Sequence, residues 1–135
     1  MRARLDLQIT RDLARDAGLS DADYDVLSNL SESQGHRQRL NDLAAQMLWS
    51  SSRLSHHISR MQKRGLVTRD DDPSDARGAV IVLTEGGWDE IRRVAPLHVE
   101  SVRRNFIDLL SQAQIETLGD VTEIVVRHLN GRQKK

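Results

Sequence analysis

Only one stretch of this chain departs from helical spacing. Leu66–Arg69 and Ala79–Leu83 are short β-branched or apolar runs, and they flank a turn-rich segment, Asp70–Gly78, that contains Pro73 and Ser74. Elsewhere the apolar residues recur three and four apart, as one face of a helix requires. Leu5, Ile9, Leu13 and Ala17 form a first stripe, ended by Gly18. Ser20 caps a second helix whose apolar positions are Tyr24, Val26, Leu27 and Leu30, ended by Gly35. His36–Leu40 reads as a short extended link. Asn41 is expected to cap a third helix, Asp42–Leu48, and Ser50 a fourth that runs to Arg64, with Gly65 as a left-handed terminator.

After the hairpin, Thr84 caps a helix carrying Trp88, Ile91, Val94 and Ala95. Pro96 should kink or break it, because proline removes one helical hydrogen bond. Val99, Val102 and Phe106 resume the stripe. A last helix is predicted over Ser111–Leu129, and the polar tail Gly131–Lys135 is expected to be disordered. Four helices, a hairpin and two helices make a mainly α fold with a small β-hairpin wing. It reads as a winged helix-turn-helix lobe over residues 20–96, flanked by helices at 1–19 and 97–130, all in one domain of 135 residues.

The chain has no cysteine, which excludes disulfides, thiolate zinc sites and cysteine nucleophiles. Its longest apolar run, Ala79–Leu83, is far too short to cross a membrane, and the N-terminus is charged at once, so a cytoplasmic protein is expected. No catalytic residue is expected: Gly86-Gly87 lacks the flanks of a phosphate loop, and no nucleophile pairs with a base. No metal or cofactor is expected either. His56 and His57 point about a hundred degrees apart on a helix, and His36, His98 and His128 are scattered.

Net charge is zero, but its distribution is not even. Residues 1–36 carry four arginines against seven acids, whereas residues 37–69 carry seven cations against Asp42 alone. Residues 70–135 are again acidic. A cationic centre between acidic ends suits a polyanion such as nucleic acid, whose counterions clustered cations release. On the fourth helix, Leu54, Ile58 and Met61 fall within about forty degrees of one another and form the inward stripe. Ser52, His56, Ser59 and Lys63 face the other way with Arg53 and Arg60 on one flank, and that face has no acid. Such a face can meet phosphates with its first-turn hydroxyls and base edges with its longer side chains. His57 lies at the edge of the buried stripe and reads as a packed histidine. Trp49 and Leu54 have the spacing of a hydrophobic staple. On the wing, Arg77 sits between Ala76 and Gly78 at a predicted hairpin tip, where it could enter a minor groove with Asp75 holding its guanidinium. Asp70, Asp71 and Asp72 would repel phosphate; they are expected to face away from DNA, with no positive role.

Two motifs carry a family resemblance. Asp72 through Gly87 contains a D-x-R, a V-x-L-T-like run at Ile81–Thr84 and a glycine three residues after the threonine, and it resembles the wing of the MarR family of bacterial transcription regulators. Leu54–Met61, continuing through Arg64-Gly65-Leu66-Val67-Thr68-Arg69, resembles that family's recognition helix and its exit into the wing. The resemblance implies a homodimer built on the terminal helices, with each winged helix on half of a palindromic operator in double-stranded DNA. It implies that Ser51, Ser52, Arg53, His56 and Arg60 belong to the DNA-reading helix, that Arg77 is the wing arginine and that Asp75 is its partner. It also implies a small aromatic or anionic effector between the lobes, for which Tyr24, Trp88 and Arg92 are candidates by position. The first helix begins at the first residue without a cap, so part of the dimerising arm is expected to be missing. The competing reading is a protein-interaction module that kept the fold without an operator; the cationic centre argues against it.

Overall fold

The computed structural model describes residues 1–133. Helix α1 covers Arg2–Ala17 and stops where Gly18 turns left-handed. Helix α2, Asp21–Glu32, opens with a reciprocal box: the Ser20 hydroxyl accepts from the Asp23 N–H, and the Asp23 carboxylate accepts from the Ser20 N–H. After a tight turn at Gln34–His36, the expected link is a true strand, β1, Arg37–Arg39. It is central to the wing's stiffness, as described below. Helix α3 covers Leu40–Met47 with Arg39 in the cap position, so Asn41 is inside the helix and is not its cap. Its side chain instead accepts from the Ser51 hydroxyl at 2.6 Å. Helix α4, Ser51–Lys63, is capped by Ser50, whose hydroxyl accepts from the Arg53 N–H at 3.1 Å. Gly65 takes the predicted left-handed conformation, φ 76°.

The hairpin is longer and its turn tighter than the sequence suggests. Strand β2 is Val67–Asp72 and β3 is Asp75–Leu83, leaving Pro73 and Ser74 as the whole turn. The sheet is antiparallel in the order β1-β3-β2, with Arg39 and Asp70 both opposite Val80. Ion pairs cross the sheet here: Asp70 lies 3.5 Å from Arg37, and Asp72 lies 3.2 Å from Arg39 and accepts from the Ser74 N–H and hydroxyl. These acids therefore have a positive role, bracing the wing across β3. Hydrogen bonds from Ser74 hold the Asp72 carboxyl below its usual range.

Helix α5 runs from Glu85 to Asn105 and passes through Pro96 without a break. Its first turn is seated on the exit from α4. Thr84 donates its hydroxyl to the Gly65 carbonyl at 2.6 Å and accepts from the Gly87 N–H at 2.9 Å. A Cβ on Gly87 would overlap the Leu66 carbonyl oxygen and come within 2.7 Å of Leu83 Cδ1, so this position requires glycine. Helix α6, Gln112–Gln133, is longer than expected; Gly131 and Arg132, assigned to a disordered tail, are helical, and residues 134–135 of that tail lie outside the described residues.

A single core joins Leu13 of α1, Val26, Leu27 and Leu30 of α2, Leu43 of α3, Leu54, Ile58 and Met61 of α4, Val67 and Ile81 of the sheet, and Ile91 and Val94 of α5. Helix α6 takes no part in it. Past Ile115, Leu118, Val121, Ile124, Val125, Val126 and Leu129 are all exposed. Among the described residues no helix is long and apolar enough to cross a membrane.

Candidate nucleic-acid interface

The inward stripe of α4 is buried as predicted, with Leu54, Ile58 and Met61 each fully covered. This burial sets the rotation of the helix and leaves Ser51, Ser52, Arg53, His56 and Arg60 exposed together, along with Ser59 and Lys63. The helix has no acid anywhere in its length. Its two arginines are not free chains. The Arg53 guanidinium carbon lies over the Trp49 ring, 3.6 Å from its centroid, and Arg60 Nη2 lies 3.2 Å from His57 Nδ1. Trp49 packs half-buried against the core, its ring nearly perpendicular to that of His57 at 5.7 Å.

The back of α4 is tied to α2 through one carboxylate. Asp23 accepts from Arg64 at 2.8 Å, and His57 Nε2 lies 3.0 Å from its other oxygen, tilted off the best hydrogen-bond line. Burial works against ionising Asp23, but Arg64 and Ser20 outweigh it and hold the carboxyl below its ordinary value. Burial pushes His57 down, against the pull of Asp23. The front of α4 is tied to the wing by Arg69 of β2, which donates to the Ser55 hydroxyl at 3.1 Å and to the Ser55 carbonyl at 2.9 Å. Sequence reasoning missed Asp23, Arg69 and Arg39 as positioning groups. The surplus of cations over residues 37–69 was visible, but not which of them are spent on internal contacts.

Arg77 is exposed, but it lies within β3 rather than at the hairpin tip. Asp75 accepts from the Arg77 main-chain N–H at 3.0 Å; it holds the backbone of that arginine, not the guanidinium the sequence reading assigned to it. A hydrogen bond from Arg39 to Ser74 at 2.9 Å adds to the bracing of the turn beside it. Of the residues proposed for an effector, Trp88 and Arg92 come together, with the guanidinium 4.7 Å from the ring centroid. Tyr24 has a different partner, stacking on His98 at 4.3 Å, while Trp88 stacks on His36 at 4.7 Å. Tyr24 and Trp88 both pack against the core.

Comparison with known proteins agrees with this geometry. The MarR family model matches residues 19–78, from the start of α2 to the middle of β3. The structure superposes on that of AbsC, a MarR family transcriptional regulator from Streptomyces coelicolor, with a TM-score of 0.86 and 45% identity, covering 96% of this chain and 87% of that one. A second MarR family regulator from the same organism, solved in complex with DNA, matches with a TM-score of 0.85 and 40% identity over 95% of this chain and 80% of that one. Among curated proteins, an uncharacterized HTH-type transcriptional regulator of Bacillus subtilis, YkoM, is 26% identical over 77 residues, which is 57% of this chain. The match spans half the length of that relative.

Proposed function

This chain belongs to the MarR family of transcriptional regulators, and we propose that it reads a specific duplex DNA sequence as a homodimer, with α4 in the major groove and Arg77 of the wing at the adjacent minor groove. The family is one of regulators, not of enzymes. The observation that carries the proposal is the exposed, acid-free face of α4, with Ser51, Ser52, Arg53, His56 and Arg60 presented together and braced to the wing through Arg69. Hydroxyls and free N–H groups at the start of a helix suit phosphates, and arginine and histidine suit base edges. The relative solved with DNA supports the same use of this fold.

The homodimer is supported by α6. Its apolar residues, from Ile115 to Leu129, span an arc of about 200° at 100° per residue, twice what one flat contact needs. Exposed apolar surface of that extent on a helix marks a face that a partner covers. A groove of about 450 Å³ between α1 and the end of α5, lined by Leu5, Phe106, Leu109 and Leu110, offers a receiving surface on the second copy. A two-fold dimer would favour a palindromic site. Repression, and its relief by a small aromatic or anionic effector near Tyr24, Trp88 and Arg92, complete the proposal. Such a ligand acts only through different affinities for the two states of the dimer.

Selection from a random duplex library at physiological salt tests the reading. Enrichment of a palindrome with half-site centres about ten base pairs apart is expected. Failure to enrich any sequence, with the protein folded and dimeric, would leave the interaction-module reading in its place.

A further inference from the structure

The buried polar cluster behind α4 is not explained by contact with DNA. Asp23 and His57 are both buried there, and each faces a charged partner. Arg60 Nη2 approaches His57 Nδ1 at 3.2 Å. A guanidinium can only donate, so Nδ1 must present its lone pair. A neutral ring that accepts at Nδ1 carries its proton on Nε2, and Nε2 is the atom that faces Asp23 at 3.0 Å. Asp23 is itself immobilised by Arg64 and by the Ser20 box. The charged groups facing the ring are thus Asp23 from α2, Arg60 from α4 and Arg64 just past its end, and the Trp49 ring lies nearly perpendicular to it at 5.7 Å.

We propose that His57 is a positioning residue for DNA recognition: in the tautomer selected by Asp23, it holds the Arg60 guanidinium in place on the exposed face of α4. The inference rests on the reading of α4 as the DNA-contacting helix. One N–H of Arg60 is used by the ring, and the others remain available for a phosphate or a base edge. An arginine held in advance loses less side-chain entropy when DNA arrives. The arrangement requires a neutral ring. A doubly protonated His57 carries N–H at Nδ1, so the acceptor disappears and two cations face each other. Burial favours the neutral form.

The test uses the full chain and the duplex that the wild-type protein enriches from a random library. Affinities are compared for wild type, His57→Phe, Arg60→Ala and the double variant; phenylalanine keeps the ring volume beside Trp49. His57→Phe is expected to weaken binding about fivefold, and to have no further effect once Arg60 is alanine. If His57→Phe costs the same factor in the Arg60→Ala background, the ring is merely structural and the proposal is overturned. The ratio of wild-type to Arg60→Ala affinity should also fall as the pH is taken from about 8 to well below the ordinary histidine value of 6.5, since burial lowers that of His57. A ratio that stays constant counts against the proposal. Nitrogen NMR of the imidazoles supplies a reading that needs no DNA. His57 Nδ1 should be unprotonated at neutral pH and should shift in Arg60→Ala, and an Nδ1–H tautomer overturns the proposal. Absence of any enriched duplex would overturn the DNA reading together with this one, whereas enrichment with an additive cycle would overturn this one alone.

Discussion

The hydroxyl of Ser101 donates to Asp12 Oδ2 at 2.7 Å, joining α5 to α1 across 89 residues of chain, and both side chains are buried. The same carboxylate accepts from Gln8, Arg104 and Asn105, each at 3.0 Å, and lies 3.2 Å from Arg15. The Ser101 hydrogen bond is the largest of the influences that bring the Asp12 carboxyl down to about 2; burial opposes it, and Gln8, Asn105 and Arg104 add to it. A charged group buried among donors clasps α1 to the C-terminal half of α5.

Asp12→Ala should therefore be among the most damaging changes in α1. It leaves the buried Ser101 hydroxyl without its acceptor, removes one of the acceptors of the Asn105 amide and strips Arg104 of its buried partner, for a loss of about 2–4 kcal/mol. Urea unfolding checks this: the midpoint should fall with the slope unchanged.

Acid should undo the same contact. Asp12 is depressed in the folded protein relative to its ordinary 3.8, so its contribution to stability is fully present above that value and is lost as the pH falls toward 2. Stability measured from neutral to acid pH should show this loss in the wild type, and Asp12→Ala should lack its share of it.

Gly87→Ala should cost about 1–3 kcal/mol, because the new methyl must displace either the Leu66 carbonyl or α5 itself. Gly86→Ala makes a useful contrast, since a Cβ there comes only to 3.0 Å from the Gly65 carbonyl. Thermal melts of the two variants should rank in that order.

Arg77→Ala should weaken binding to the selected duplex without changing the melting temperature, and should reduce the salt dependence of log K by about one unit if a phosphate contact is lost. Arg39→Ala should weaken it indirectly, since Asp72 and Ser74 lose the guanidinium that braces the wing turn. Affinity unchanged in Arg77→Ala at moderate salt would remove the wing from the account.

Val125→Glu places a charge in the middle of the exposed apolar stripe of α6 while touching no core residue. Sedimentation should show the proposed dimer replaced by monomer with an unaltered circular dichroism spectrum, and binding to the selected duplex should fall with it.

Much of the architecture was legible because local rules act within one turn or one strand. Ser50 and Thr84 were visible as caps, and Gly65 as a left-handed terminator, because each needs only its nearest neighbours. Asn41 was misread for the complementary reason: its partner is the Ser51 hydroxyl, ten residues away, which the spacing of α3 cannot reveal. Pro96 could not be placed by propensity alone, because the packing of α5 against α1 and α2 outweighs one missing hydrogen bond. The tight wing turn was hidden because Asp70 and Asp72 read as repulsive until β1 brings Arg37 and Arg39 beside them.

The sequence by itself determined which face of α4 is exposed, because the spacing of Leu54, Ile58 and Met61 leaves one rotation that buries all three. That face carries the positions that the family resemblance assigns to DNA reading, so the class of function could be proposed without coordinates. Only the tertiary structure decided what holds those positions still. Asp23 and Arg69 lie far in sequence from Arg64 and Ser55, the groups through which they hold α4, and a carboxylate or guanidinium declares such a partner only when the fold has excluded water between them.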